Sequence, residues 1–240
     1  MADALVGRPR SSVGGILLAA GSSSRLSKST ETRPPNPEDD AEAPRSSVHH
    51  ARLTATPADL ATPKQLLPFH GRPLVRHVAE QALASRLASL IVVVGHRSSE
   101  VAAALSGLSV TVVENPLYAQ GQSTSLRAGI LGLSRDLSAA LILLVDQPLV
   151  DTSLVDRLIG LYEESGAPIV APQHAGKRGN PVLFDRALLP ELLAVVGDTG
   201  AREVIGRHRD RLVTLELPND RAFRDVDTWD DYRKIAPSRL

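Results

Sequence analysis

Short apolar segments alternate with amphipathic segments along most of the chain. Six apolar runs, most of them rich in β-branched residues, have the length of buried strands, and they span residues 15–19, 90–94, 110–113, 141–145, 169–171 and 212–215. The apolar spacing of helices occurs at residues 74–87, 98–105, 123–133, 153–164, 187–195 and 201–208. Strands that are apolar on both faces and alternate with helices indicate a mainly parallel sheet covered on both sides. The pattern therefore predicts an α/β protein with a single doubly wound, Rossmann-like domain, whose ligands bind at the carboxyl ends of the strands.

Two segments fall outside this pattern. Residues 1–12 have the composition of a flexible tail, so that the predicted domain covers residues 13–235. Residues 27–62 are rich in proline and mixed charges and contain few large apolar side chains. Such a segment buries too little surface to offset its chain entropy, which predicts a disordered or loosely packed insertion. A regulatory or partner-binding loop is the alternative.

Composition narrows the function classes. The 240 residues include 27 basic and 27 acidic side chains, 3% aromatic residues and no cysteine. A net charge of zero argues against a nucleic-acid-binding or anionic-membrane-binding protein. The absence of cysteine excludes disulfides, thiolate zinc sites, iron–sulfur clusters and cysteine nucleophiles. The longest apolar run is too short to cross a bilayer, and the first 12 residues lack a signal-peptide pattern. A cytoplasmic protein with no nucleic-acid or membrane partner is therefore expected.

The first predicted strand runs into a loop of small and hydroxyl residues, Leu18-Ala19-Ala20-Gly21-Ser22-Ser23-Ser24-Arg25. Backbone amides in such a loop can approach an anion closely, which suits a phosphate group. The loop lacks the Gly-Lys-Ser/Thr of a Walker A motif and the Gly-x-Gly-x-x-Gly of a dinucleotide site. A flexible junction is the alternative. A second motif places Lys64 on a proline-flanked segment, where it is either a site residue or an ordinary surface lysine.

Two aspartates, Asp146 and Asp227, are each either a candidate site residue or a helix cap. Asp146 directly follows the apolar run at 141–145, and a carboxylate at the end of a buried strand is costly unless a cation pairs with it. In a phosphate-handling domain that cation is Mg²⁺. Helix capping is the alternative, but residues 151–153 can already cap the next helix. Near the C-terminus, Asp227 is either a helix N-cap, a role that Thr228 could also fill, or half of a carboxylate pair with Asp225.

Three further segments have residues that can face a ligand. Ser123 and Ser125 open a helix at 121–127, where capping by Ser123 is expected and a ligand role for the segment stays open. The basic, glycine-containing segment at 174–181 is either ligand-facing or a solvated hairpin. The turn at 197–202 is either an anion seat or an ordinary turn between helices.

Taken in order, these motifs resemble the MobA-like nucleotidyltransferases, and most closely the MocA-like molybdenum-cofactor cytidylyltransferases. The resemblance runs from about residue 14 to residue 232, interrupted only by the insertion. It rests on the loop at 18–25, on Pro63-Lys64-Gln65-Leu66-Leu67-Pro68, Gly71-Arg72-Pro73-Leu74 and Gly121-Gln122-Ser123-Thr124-Ser125-Leu126-Arg127-Ala128-Gly129, and on Asp146-Gln147-Pro148, Gly179-Asn180-Pro181-Val182-Leu183-Phe184, Gly197-Asp198-Thr199-Gly200-Ala201-Arg202 and Asp225-Val226-Asp227-Thr228.

The resemblance implies a fold of the nucleotide-diphospho-sugar transferase type and a reaction. CMP is transferred from CTP to the phosphate of molybdenum cofactor, and pyrophosphate is released. The nucleotide-binding residues implied by the resemblance are Leu18, Ala19, Ala20, Gly21, Arg25, Lys64, Gly95, Ser125 and Asp146. Arg25, Lys64 and Asp146 would be catalytic, Asp146 and Asp227 would bind Mg²⁺, and Arg178, Asn180, Asp198 and Arg202 would face the acceptor. Because the insertion separates Arg25 from Lys64 by about 40 residues, the chain must double back for both to reach one triphosphate.

The choice of substrates leaves alternatives open. Guanylyl-transferring relatives tend to have a glycine where Ala20 stands, so the methyl group favours CTP over GTP. The acceptor phosphate is largely dianionic at pH 7, so that no general base is needed. The alternatives are a GTP-using enzyme, a nucleotidyltransferase that acts on a sugar phosphate or another phosphate acceptor, and a non-catalytic carrier that delivers the cofactor to a molybdenum hydroxylase.

Overall fold

The computed structural model describes residues 12–21, 62–198 and 200–236. The predicted tail, the predicted insertion and Arg25 lie outside the described residues, except for Ser12 and Thr62 at their edges. The domain bounds at residues 13 and 235 therefore remain a prediction.

A mostly parallel sheet forms the centre of the molecule, as the sequence pattern predicts. The strands are β1 (Val13–Ala19), β2 (Pro68–Phe69), β3 (Arg72–Pro73), β4 (Ser89–Val94), β5 (Thr111–Glu114), β6 (Ala139–Leu144), β7 (Ile169–His174), β8 (Lys177–Arg178), β9 (Val182–Asp185) and β10 (Leu212–Glu216). The main sheet has the order β10-β7-β9-β6-β1-β4-β5, β8 pairs with β7, and β2 and β3 form a separate hairpin. β1 is central and pairs in parallel with both β4 and β6. The mainly parallel α/β fold is confirmed.

One strand of the sheet departs from the predicted parallel arrangement. β9 lies antiparallel between β6 and β7. The chain leaves β7, reverses at Ala175 and Gly176, which have φ angles of 47° and 76°, and returns through β8. This reversal with two residues at positive φ suits a tight hairpin. The sequence pattern did not identify β9, because its apolar residues directly follow a glycine- and proline-containing segment that is typical of a loop. The hairpin brings the basic segment at 177–180 to the carboxyl end of β7.

Helices cover both faces of the sheet. They are α1 (Leu74–Leu83), α2 (Ser98–Ala104), α3 (Gln122–Gly132), α4 (Thr152–Ser165), α5 (Leu189–Leu193), α6 (Arg202–Arg207) and α7 (Trp229–Ile235). One core layer joins α1, α2 and α4 to Leu17 and Ala19 of β1, and the other joins α3, α5 and α6 to Ile16 and Leu18. Successive residues of β1 thus enter opposite cores, which is why the strand is apolar throughout. None of the helices described is long and apolar enough to cross a membrane.

A third, small apolar cluster fixes the C-terminal segment. Leu67, Val226 and Trp229 are buried together, and Tyr232 and Ile235 of α7 pack against them. The cluster therefore holds the segment that contains Lys64 against the segment that contains Asp227. Tyr232 adds a hydrogen bond from its hydroxyl to the carbonyl oxygen of Pro68.

Candidate functional site

A cleft of about 1020 Å³ opens at the carboxyl ends of β1 and β6. Most of the residues singled out from the sequence line it, namely Leu18, Ala20, Gly21, Lys64, Ser125, Asp146, Arg178, Asn180, Asp198, Arg202 and Asp227. Ala19 and Gly95 lie behind its wall: the side chain of Ala19 is fully buried in the core, and Gly95 packs beneath Tyr118. The position of the cleft is the one that a doubly wound sheet predicts for a ligand.

The two candidate metal ligands meet at a lysine. The Nζ atom of Lys64 donates to Oδ2 of Asp146 at 3.1 Å and to Oδ1 of Asp227 at 3.2 Å. The side chain of Lys64 is only 12% exposed, against 26% for Asp146 and 35% for Asp227. These partly buried charges interact more strongly than an ion pair on the open surface. Lys64 thus lies within the site, although Arg25 lies outside the described residues.

Backbone contacts bring the two carboxylates together. Asp146 comes two residues after β6 ends, and its carbonyl oxygen accepts a hydrogen bond of 2.8 Å from the amide of Val226. Helix capping, the alternative role of Asp146 and Asp227, is performed by other residues. Asp151 caps α4 by accepting from the amide of Leu154, and Thr228 caps α7 in a capping box. The N-cap residues of these two helices are therefore Asp151 and Thr228, and not Asp146 or Asp227.

Gln65 joins the Lys64 segment to the end of the first strand. Its side chain is 1% exposed, and its Nε2 atom donates to the carbonyl oxygens of Ala19, at 3.1 Å, and Gly21, at 2.6 Å. Lys64 and Gln65 begin a short 3₁₀ turn after Pro63. Gln65 was not predicted as a site residue, because a glutamine beside a lysine is typical of an exposed surface. Its role follows from its contacts with the carbonyl oxygens of Ala19 and Gly21, at and just beyond the end of β1.

The acidic end of the cleft, formed by Asp146, Asp225 and Asp227, has carboxylate oxygens that could hold a divalent cation. Oδ1 of Asp146 is buried and has no hydrogen-bond partner among the described residues. Burial, together with the charges of Asp146 and Asp227, raises the pKa of Asp225, while a hydrogen bond from Gln147 and the charge of Lys64 oppose the rise. The described residues contain no group of three metal-ligating side chains. Two carboxylates that leave room for phosphate oxygens and water are what Mg²⁺ commonly uses beside a nucleotide.

A buried amide organises the wall of the cleft near Ser125. Asn115 is 3% exposed, and its Nδ2 atom donates to the hydroxyl oxygens of Thr124 and Ser125, both at 2.9 Å. Its Oδ1 atom accepts from the amide of Leu117. Since the oxygen of Ser125 accepts this bond, its hydroxyl hydrogen can donate into the cleft. The role of Asn115 depends on the side chain of Ser125, ten positions further along the chain, so the local sequence around Asn115 does not reveal it.

Gly95 gives a first testable prediction. A Cβ atom at Gly95 would lie 2.7 Å from Cβ of Tyr118 and 2.9 Å from Cβ of Ala20. Because neither atom is the end of a flexible side chain, Gly95→Ala should lower the free energy of unfolding by about 1–3 kcal/mol, measured by urea denaturation. Gly160→Ala, in α4 with no heavy atom within 4 Å, should instead raise stability by about 0.5–1 kcal/mol. Equal stabilisation by both changes would contradict this account.

The start of α3 differs from its prediction. Its N-cap is Gly121, with a φ of 113°, and not Ser123, whose side chain is buried. The first amides of the helix bond to another segment, because Gln122 donates to Oδ1 of Asp198 at 3.0 Å and Ser123 donates to the carbonyl oxygen of Gly197. Asp198 thus holds α3 from a distant turn, a contact that the local sequence of the helix cannot reveal.

Basic side chains lie at another part of the cleft. Arg178 and Arg202 line it together with Asn180. Burial, and then the charges of Arg202 and Arg209, lower the pKa of Arg178. This part of the cleft is therefore positively charged, in contrast to the end that holds Asp146 and Asp227.

This chain is similar in sequence to proteins of known function. It is 29% identical over 180 residues to the nicotine blue oxidoreductase of Paenarthrobacter nicotinovorans, a match that covers 72% of this chain and 87% of that protein. It is 24% identical over 172 residues to the molybdenum cofactor cytidylyltransferase of Escherichia coli, covering 70% of this chain and 84% of that protein. The names of these two relatives describe different reactions, one an oxidoreductase and the other a cytidylyltransferase.

Solved structures agree on the fold. The Rv0371c homologue from Mycobacterium sp. strain JC1 superposes with a TM-score of 0.71 at 27% identity, covering 94% of this chain and 96% of that one. The Mycobacterium tuberculosis Rv0371c protein in complex with manganese has a TM-score of 0.65 at 24% identity, covering 95% of this chain and 99% of that one.

A family model matches most of this chain. The model of the MobA-like NTP transferase domain matches residues 52–212, which include Lys64, Asp146 and the basic residues Arg178 and Arg202. This match covers more than half of the chain, and the chain therefore belongs to the MobA-like NTP transferase family of nucleotidyltransferases.

Proposed function

We propose that the protein transfers CMP from CTP to the phosphate of molybdenum cofactor and releases pyrophosphate in the presence of Mg²⁺. The observation that carries the proposal is the convergence of Asp146 and Asp227 on the single cation of Lys64, at the carboxyl end of the sheet. The Escherichia coli cytidylyltransferase, similar over most of both chains, supports this choice of reaction.

The residues of the acidic end have separate roles in this proposal. Lys64, with Arg25, holds the triphosphate, and Asp146 and Asp227 bind Mg²⁺ through oxygen atoms, the ligands that this ion prefers. The buried Oδ1 atom of Asp146 supports a metal role, and so does the manganese bound by the mycobacterial protein of the same fold. When bound, Mg²⁺ neutralises charge on the triphosphate and so favours departure of pyrophosphate.

The proposed reaction is an in-line displacement at the α-phosphorus of CTP. An oxygen of the acceptor phosphate attacks this phosphorus, and the bond to the leaving pyrophosphate breaks. A phosphate monoester is largely dianionic at pH 7, so the attacking oxygen needs no general base. No histidine occurs among the described residues that line the cleft, which agrees with a base-free reaction. Catalysis then consists of alignment and of charge neutralisation, to which Lys64 contributes directly.

The preference for CTP is the testable part of this proposal. Ala20, Gly95 and Tyr118 are packed together at one wall of the cleft. In this proposal the methyl group of Ala20 lies beside the base and leaves too little space for a purine. Pyrophosphate release is measured with CTP or GTP, Mg²⁺ and molybdenum cofactor, and we expect CTP to be used at least about tenfold more efficiently, as one added contact in an apolar wall allows. Equal turnover with GTP, or none with CTP, would contradict the preference.

The measurement of pyrophosphate release also distinguishes the alternative functions, which are transfer to another acceptor and non-catalytic delivery of the cofactor. Release with a sugar phosphate but not with molybdenum cofactor would identify a different acceptor. Tight binding of cofactor without pyrophosphate release from any nucleotide would favour the carrier. Because one relative is named an oxidoreductase, a parallel reaction contains reduced nicotinamide dinucleotide and a dye as electron acceptor, and reduction of the dye without pyrophosphate release would overturn the proposal.

A further inference from the structure

A buried side chain, that of Gln65, bonds to the backbone where the first strand ends. It is 1% exposed, and its Nε2 atom donates to the carbonyl oxygen of Ala19 at 3.1 Å and to that of Gly21 at 2.6 Å. β1 ends at Ala19, so the carbonyl group of Gly21 lies beyond the strand pairing of the sheet. Gln65 therefore holds the chain at the point where it leaves the sheet.

The four carbonyl groups from residue 18 to residue 21 are all bonded to other parts of the protein. The amide of Val145, directly after β6, donates to the carbonyl oxygen of Leu18 at 3.2 Å. The amide of His96, two residues after β4, donates to that of Ala20, also at 3.2 Å. Gln65 supplies the donors for the other two. A carbonyl oxygen that faced a triphosphate would repel it, because both carry negative charge, and these hydrogen bonds remove that repulsion.

The turn that carries Gln65 also carries Lys64. The two residues begin a 3₁₀ turn that follows Pro63. From this turn Lys64 reaches two carboxylates of the acidic end, whereas Gln65 reaches the end of β1. Successive side chains of a 3₁₀ turn point about 120° apart, which lets these two neighbours bond to different parts of the site. One turn thus joins the acidic end of the cleft to the end of the first strand.

The length of the intervening chain cannot keep these two parts of the site together. Gly21 and Gln65 are 44 positions apart in the sequence, and most of that stretch is the predicted insertion. A connection of that length does not fix the distance between its ends, since closing a long loop costs entropy. The hydrogen bonds that Gln65 makes across this gap offset the cost and set the separation.

We propose that Gln65 is a positioning residue, which locks the end of β1 to Lys64 so that the two bind the triphosphate as one unit. This inference rests on the proposed function, because it requires a triphosphate in the cleft beside Lys64. Gln65 acts through the loop and the lysine, since its Nε2 atom already donates to two carbonyl oxygens. The site residues that the family resemblance implies include Lys64 and do not include Gln65.

A double-mutant cycle on CTP binding tests this coupling. Gln65→Met removes the amide donors and keeps the length of the side chain, and at saturating Mg²⁺ we expect the Kd for CTP, measured by calorimetry, to rise about tenfold. Lys64→Met should raise the same Kd by about 10- to 100-fold. Because the two residues act as one unit, the double variant should bind CTP only about as weakly as Lys64→Met alone. Additive effects would show that Gln65 merely stabilises the fold, and an unchanged Kd in Gln65→Met would show that it positions nothing. Either result overturns the inference.

Gln81→Met is the matched control. Gln81 is a half-buried glutamine of α1 whose Oε1 atom accepts from the hydroxyl of Thr152 at 3.3 Å, and it does not line the cleft. It should leave the Kd for CTP unchanged, both alone and in combination with Lys64→Met. Urea denaturation checks that every variant folds. If Gln65→Met does not fold, Gln65→Asn enters the same cycle, because it keeps the amide and shortens its reach by one bond.

The same cycle with inorganic tripolyphosphate distinguishes failure of this inference from failure of the proposed function. This probe has the triphosphate but no base, so it tests the coupling whichever nucleotide the enzyme uses. If the effects of Gln65→Met and Lys64→Met on tripolyphosphate binding are coupled, but no CMP is transferred to molybdenum cofactor, the inference holds and only the proposed reaction is wrong. If transfer is normal and the effects are additive with both probes, the inference is wrong and the proposed reaction holds.

Discussion

Asp146→Asn should lower the rate of nucleotidyl transfer by about 100- to 1,000-fold while leaving the protein folded. The substitution keeps the shape of the side chain and removes one of the two charges that meet at Lys64. It leaves the backbone hydrogen bond from Val226 to residue 146 in place. It also removes a negative charge that acts on Asp225, so the loss of one ion pair is partly offset and the Tm should change little. The rate is followed by pyrophosphate release and the Tm by calorimetry.

Asp151→Asn is the matched control for this prediction. It makes the same chemical change five residues further along, at a carboxylate that caps α4 and does not line the cleft. Asparagine caps helices about as well as aspartate, so both rate and Tm should stay near the values of the unchanged protein. A nearly normal rate in Asp146→Asn would show that this carboxylate does not take part in catalysis. A large fall in Tm would instead assign Asp146 a role in folding.

The central strands of the sheet were predictable because they are buried on both faces, so that no polar face obscures the apolar signal. Each of the six apolar runs found in the sequence lies within or overlaps a strand. The edge strands β5 and β10 are exposed or half-buried, and their β-branched and apolar residues identified them. β9 was missed because its apolar residues, Val182, Leu183 and Phe184, directly follow a segment whose glycine and proline residues indicate a loop. Its antiparallel direction follows from the hairpin at Ala175 and Gly176, which is a property of the turn and not of the strand.

The predictable part of the site consists of residues whose role follows from their own motif. Asp146 follows a buried strand, where the burial of a carboxylate is costly unless a cation pairs with it. In the structure, Lys64 is such a cation. Gln65, Asn115 and Asp198 act through partners that are 46, 10 and 76 positions away. Such contacts depend on how the elements pack, so they have no signature in a local sequence window.

Lys64→Met should have opposite effects on turnover and on metal binding. Methionine keeps the apolar stem of the lysine and removes its charge. Loss of this charge from the proposed triphosphate site should lower turnover by about 100- to 1,000-fold. In the absence of nucleotide, however, the amino group of Lys64 lies within 3.2 Å of both Asp146 and Asp227, so it competes with any divalent cation for these oxygens. Without this competitor, Mn²⁺ should bind about tenfold more tightly, because the pair is partly buried and contributes on the order of 1 kcal/mol.

Electron paramagnetic resonance of free Mn²⁺ measures this affinity without any turnover. Lys234→Met is the control, since Lys234 is an exposed residue of α7 outside the cleft and its loss should change neither quantity. If Lys64→Met weakened Mn²⁺ binding instead, Lys64 would be a support of the metal site and not its competitor. If it changed neither turnover nor affinity, the lysine would merely neutralise two carboxylates. The opposite signs therefore distinguish a lysine that leaves the carboxylates for the triphosphate from one that stays with them throughout the reaction.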